Sequence, residues 1–161
     1  MTRRDYEGDG IVVHWNSERC IHGANCLRAL PEVFDTSRRP WVDVTAADAN
    51  TIAAAVEQCP SGALQYDRTD GAPGEQPAVP TAIIPWPNGP LMVRGNIEVR
   101  DRQGELFSEG PRIALCRCGE SKNHPYCDLS HREAGFRNYP RAVRPERAGA
   151  ETPEDVGPAL A

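Results

Sequence analysis

Three cysteines and a closing histidine, His131, are spaced C-x-C-x8-C-x3-H in the run Cys116-Arg-Cys-Gly-Glu-Ser-Lys-Asn-His-Pro-Tyr-Cys-Asp-Leu-Ser-His131. In extended backbone Cys116 and Cys118 leave the same face of the chain. Gly119, Ser121, Asn123 and Pro125 favour a tight loop that brings Cys127 back to that pair. A helix can begin between Asp128 and His131, with Asp or Ser side chains satisfying its free N–H groups. Four soft or borderline donors converging on a compact loop describe a metal site.

Spacing alone leaves the metal open. Three Cys and one His also suit structural zinc, but zinc fingers generally open with C-x2-4-C and place the second pair further on. This run is more compressed. It resembles the CDGSH iron–sulfur (NEET-type) signature, C-x-C-x2-(S/T)-x3-P-x-C-D-G-(S/A/T)-H, at Cys116, Cys118, Ser121, Pro125, Cys127, Asp128, Ser130 and His131. It departs at Leu129, where the family usually has Gly. A glycine there could serve close backbone approach or a positive φ, whereas a helical position would tolerate Leu. The resemblance implies a 2Fe-2S cluster held by Cys116, Cys118, Cys127 and His131. An imidazole in place of a thiolate removes negative charge and raises the potential. It also adds a titratable ligand, so a pH-dependent, acid-labile cluster is expected.

A second constellation lies upstream. Cys20 and Cys26 are spaced C-x5-C, and Cys59-Pro60 follows after 32 intervening residues. Bacterial ferredoxins use C-x2-C-x2-C with a distant Cys-Pro, where the proline turns the chain away from the cluster. Here Gly23 stands at the middle ligand position. With Val33-Phe-Asp35 and Pro60-Ser-Gly-Ala-Leu64, this resembles the single-cluster ferredoxins and the divergent mono-cluster 4Fe-4S family, over roughly residues 8 to 68. Three thiolates suit a 3Fe-4S cluster. A 4Fe-4S cluster would need a non-cysteine fourth ligand: His22, an aspartate or water. Otherwise His22 is a loop residue hydrogen-bonding near the sulfides.

The rest of the chain frames these motifs as an α+β fold. A small ferredoxin-like domain is expected over 5–68, a Pro- and Gly-rich linker over 69–80, a small β-rich CDGSH-type domain over 81–138 and an irregular tail over 139–161. In the first half, Ile11–Asn16 and Trp41–Val44 suit strands, and a short helical segment starts at Leu27. A helix over 45–58 capped by Thr45 would place Ile52, Ala55 and Val56 on one face. In the second, Leu91–Arg100 suits a strand or a pair broken at Gly95-Asn96, and Arg112–Leu115 a strand that delivers Cys116. His14 is expected to be an ordinary strand residue, Trp15, Trp41 and Trp86 to pack in the core or between domains, and Arg117 and Lys122 to face solvent.

The six cysteines in a start without an apolar leader suit ligands in a reducing cytoplasm better than disulfides. No run approaches the ~18–20 apolar residues of a membrane span, and a net charge of −5 without a polybasic stretch gives no nucleic-acid surface. Nothing resembles a nucleophile triad, a phosphate loop or a dinucleotide fingerprint, so the expectation is no enzyme. A two-cluster one-electron carrier is expected, working between a reductase or ferredoxin and an acceptor enzyme. The alternative is a redox or iron sensor, or a 2Fe-2S storage and transfer protein. The NEET-type resemblance is compatible with a homodimer through residues 89–138, and a covering N-terminal domain with a monomer. Each half is too small for a large apolar core, so ligation is expected to contribute to folding.

Overall fold

The computed structural model describes residues 3–141, so the expected irregular tail lies, from residue 142 onward, outside the described residues. In the first half β1 (Arg3–Gly8), β2 (Ile11–Asn16) and β3 (Leu64–Arg68) form an antiparallel sheet in the order β1-β2-β3. Ile11 and Val13 of the central strand are wholly buried. The sequence gives no apolar signal for β1, which carries Arg3, Arg4, Asp5 and Glu7. It forms as a charged edge strand, paired residue for residue with β2 from Arg3↔Asn16 to Gly8↔Ile11. His14 of β2 lies between its flanking strands, with Nδ1 2.7 Å from Asp5 and Nε2 2.9 Å from Asp67. Both ring nitrogens are thereby engaged within the sheet.

Two helices, α1 (Asn25–Ala29) and α2 (Ala49–Glu57), cover this sheet's core. The helix expected from Thr45 begins four residues later, because a better cap wins. Asp48 Oδ1 accepts from the amides of Asn50 at 2.9 Å and Thr51 at 3.1 Å. Thr45 is held instead by Asp43, which accepts its hydroxyl at 2.6 Å. From α2 Ile52, Ala53, Ala55 and Val56 pack into a core with Ile11, Val13, Phe34 and Leu64. The strand expected over 41–44 reduces to one bridge, Phe34↔Val42. Trp15 and Trp41 meet edge to face with centroids 5.1 Å apart.

In the second half β4 (Ala82–Pro85), β5 (Leu91–Arg100) and β6 (Leu106–Leu115) form another antiparallel sheet, in the order β4-β5-β6. The break expected at Gly95-Asn96 is a register shift between Arg94 and Ile97 inside one continuous strand. A short α3 (Ser130–Glu133) follows the cysteine loop. Trp86 is 47% exposed, against the packing expected for it.

The two halves are joined across a buried seam centred on Arg112 of β6, which is 2% exposed. Its guanidinium donates to the carbonyls of Val56 at 3.0 Å and Leu64 at 3.3 Å, and also to that of Cys59. Glu75 closes the other side through two 2.6 Å contacts. Arg112's own carbonyl accepts from Arg19 at 2.9 Å. Gly62 sits against that carbonyl with φ +64; a Cβ there would lie within van der Waals overlap of Arg112 O and beside the Arg19 guanidinium. Gly62→Ala should therefore destabilise the protein by about 1–3 kcal/mol, through strain and a displaced seam. Urea unfolding would show it; a midpoint equal to wild type would mean that the seam yields freely.

Candidate metal centres

β6 ends at Leu115 and hands Cys116 to a loop that folds back on the strand. The Cys116 amide donates to Pro125 O at 2.9 Å, and the Cys127 amide donates to Ala114 O at 3.0 Å. This return places Cys127 beside the strand end that carries Cys116 and Cys118. Two signature residues hold the loop's shape. Ser121 donates to Tyr126 O at 2.7 Å, and Asp128 accepts from the amides of Lys122 and Ser130, both at 2.9 Å. Burial alone would raise the Asp128 carboxyl, but these amide bonds outweigh it and hold the group well below the usual carboxylate range.

The donors come as two pairs. Cys116 Sγ and Cys118 Sγ are 3.8 Å apart, and Cys127 Sγ and His131 Nδ1 are 3.5 Å apart. Metal–sulfur bonds of about 2.3 Å and metal–nitrogen bonds of about 2.0–2.1 Å make tetrahedral edges of about those two lengths. Among the described residues no three His, Cys, Asp or Glu side chains stand close enough to share one ion. Each pair thus fits two corners of one tetrahedral metal. Burial pushes the Cys127 thiol up, so its thiolate needs a cation beside it. Burial first, and then Arg132, holds the His131 imidazole below its ordinary value and favours the neutral, ligand-competent form.

Leu129 has φ +75, in the left-handed region. The position is not the helical one that would tolerate leucine freely; it is one where glycine is at ease, and leucine costs about 1–2 kcal/mol. Its side chain packs against a buried cluster of Ile21, Met92, Ala114 and Cys127. Ile21 belongs to the other half, so the residue that departs from the signature contributes to the seam. Arg117, expected in solvent, folds back to donate to Gly89 O at 2.9 Å and Trp86 O at 2.6 Å, with Phe136 under its guanidinium. Lys122 is exposed as expected.

The upstream cysteines line one small pocket with Trp15, Trp41, Ala63 and Leu64. Cys20 and Cys26 flank the loop before α1, and Cys59 follows α2 at the seam. Burial, and next the neighbouring Cys59, push the Cys26 thiol up to about 11; burial also raises Cys20. Bound metal would stabilise these two thiols as thiolates. The Trp41 indole N–H is buried without an acceptor, and the Leu64 amide lies 3.5 Å from Cys59 Sγ. Such donors beside a thiol pocket suit the sulfur-rich acceptors of a cluster. His22 is exposed, with Nδ1 4.0 Å from Cys20 Sγ, and Gly23 lies on the pocket wall.

No helix among the described residues is long and apolar enough to cross a membrane. Comparison with known proteins finds a family model over each half. Residues 6–69 match the family described as divergent 4Fe-4S mono-cluster, and residues 88–132 match the iron-binding zinc finger of CDGSH type. The uncharacterized protein YjdI of Escherichia coli K12 and that of the O157:H7 strain are each 38% identical over 63 residues, which is 39% of this chain and 83% of theirs. The chain is an iron–sulfur protein that belongs to the divergent 4Fe-4S mono-cluster family through residues 6–69 and carries a CDGSH-type iron-binding domain over residues 88–132.

Proposed function

We propose that this protein is a non-catalytic one-electron carrier, with a 2Fe-2S cluster on Cys116, Cys118, Cys127 and His131 and a 3Fe-4S cluster on Cys20, Cys26 and Cys59. Such clusters supply reversible one-electron chemistry when bound. The observation that carries the reading is the position of Ile21. It follows Cys20 directly in the chain, and its side chain, 6% exposed, is buried in the same cluster as Cys127. The two thiol sites therefore meet at one buried apolar cluster, which supplies a packed protein route between them. Two donor sets of different charge, one all-thiolate and one with an imidazole, give two different potentials. A carrier between a reductase or ferredoxin and an acceptor enzyme uses such a step, whereas a cluster-handover protein has no use for the first site.

EPR of anaerobically purified protein, as isolated and after dithionite, tests this together with iron and sulfide analysis. Two distinct signals, one present when oxidised and one only when reduced, are expected. A single reduced signal with about two irons per chain would remove the N-terminal cluster and favour sensing or handover of the 2Fe-2S group. Gly23→Cys sharpens the test. A Cβ at Gly23 meets only the Asn25 side chain at 3.2 Å and Pro60 at 3.7 Å, so the added thiol fits the pocket wall. The variant should gain about one iron per chain and lose the oxidised-state signal. An unchanged spectrum would show that the vacant ligand position lies elsewhere.

A further inference from the structure

A cleft of about 600 Å³ opens on the seam beside both metal sites. The N-terminal half contributes His22 and Arg28 to its lining, and the C-terminal half contributes His131, Arg132 and Arg137. No carboxylate lines it, although the chain as a whole has a net charge of −5. Elsewhere in the fold Arg3, Arg38, Arg68, Arg100 and Arg112 pair with acids, while others such as Arg94 and Arg102 stand singly among the described residues. None of the ion pairs among the described residues includes Arg28, Arg132 or Arg137. Among the described residues the Arg28 guanidinium donates only to Gly23 O and Asn25 Oδ1, and that of Arg137 only to Phe136 O. The amide side chains of Asn25 and Asn88 also line the cleft, and Gly89 lies near His131 Nε2.

We propose that this cleft binds a small polyanion that bridges the two halves, with one carboxylate or phosphate group held by Arg28 and another by Arg132 and Arg137. Like charges gathered without counter-charge raise the energy of the empty cleft, and an anion removes that cost. Guanidinium groups match carboxylate and phosphate oxygens through paired, charge-assisted hydrogen bonds. Arginines contributed by both halves select a ligand with two anionic ends over one with a single end. The volume lies in the range of small-ligand pockets of about 300–1,000 Å³. A ligand held by both halves binds only their seated arrangement, so it holds the seam closed. The site stands whether the protein carries electrons or senses them, since its occupant touches protein side chains only.

Calorimetry on the full, cluster-loaded chain tests this with citrate, pyrophosphate and acetate at matched ionic strength. Citrate or pyrophosphate should bind saturably, at least about tenfold more tightly than acetate, and raise the melting temperature; the tighter of the two identifies a carboxylate or a phosphate ligand. Arg28→Gln and Arg137→Gln should each weaken binding about tenfold. Arg100→Gln, paired with Glu98 on the far strand end, should leave it unchanged. Visible spectra of each variant confirm that the clusters remain, so that lost binding is not lost fold. Equal affinity for acetate, an equal effect of Arg100→Gln, or no saturable heat with either polyanion would overturn the proposal.

Discussion

Arg112→Met will lower the thermal midpoint by on the order of 10 °C and will bleach both chromophores in one transition. The guanidinium has no water to fall back on. It satisfies the carbonyls of Val56, Cys59 and Leu64 and neutralises Glu75, whose side chain is itself only 14% exposed. Methionine fills the volume but supplies none of these hydrogen bonds, leaving a half-enclosed carboxylate without its partner. Removing one member of a buried pair costs about 3–5 kcal/mol, more than replacing both. Arg112→Met combined with Glu75→Gln should therefore recover part of the loss, measured as a double-mutant cycle. Arg112→Lys should not, because a single ammonium cannot serve several acceptors in one plane. Because Cys59 is one of the carbonyl acceptors and β6 leads into Cys116, both sites depend on the one side chain. A melt in two steps, with the N-terminal absorbance unaffected, would show that the seam is dispensable.

His131→Cys will lower the potential of the second centre, by on the order of a hundred millivolts or more, and abolish its response to acid. The shorter side chain can still reach: a metal–sulfur bond is longer than a metal–nitrogen bond by about 0.2–0.3 Å, and the C–S bond is long too. The fourth thiolate adds negative charge, which favours the oxidised state. In the wild type, burial keeps the His131 pKa below its ordinary 6.5. The folded chain thus binds fewer protons at this group than the unfolded chain. Its contribution is present above the ordinary value and is lost as pH falls through the lowered one. Visible spectra followed from pH 8 to pH 5, with protein-film voltammetry, would report both effects. A variant that bleaches in acid like the wild type would shift the cause from His131 to another group.

Much of both sites was legible because ligand chemistry is written in residue type and spacing. The C-x-C pair, the turn-forming loop and the return of Cys127 follow from strand alternation and from Gly, Ser, Asn and Pro. The pairing of Cys127 with His131 also follows locally, since four residues across a tight turn into α3 bring the side chains to 3.5 Å. The start of α2 was misplaced because Thr45 and Asp48 are both good caps, and only the competing bond from Thr45 to Asp43 decides between them. The strand β1 was invisible because a water-facing edge strand needs backbone partners and no apolar pattern.

What the sequence determined by itself was the two cysteine motifs and the α+β character of two small sheets, since these depend on neighbours within a few residues. The tertiary structure decided how the halves meet. Arg112 read alone is one charge in a β-run, Gly62 one small residue in a turn and Leu129 one departure from a motif. Each acquires its role from a partner some 40 to 110 residues away: Cys59 and Glu75 for Arg112, Arg112 O for Gly62, Ile21 for Leu129. Burying a guanidinium or holding leucine at positive φ is unfavourable locally, and contacts made in the tertiary fold, across the seam for Arg112 and in the Ile21–Cys127 cluster for Leu129, offset that cost.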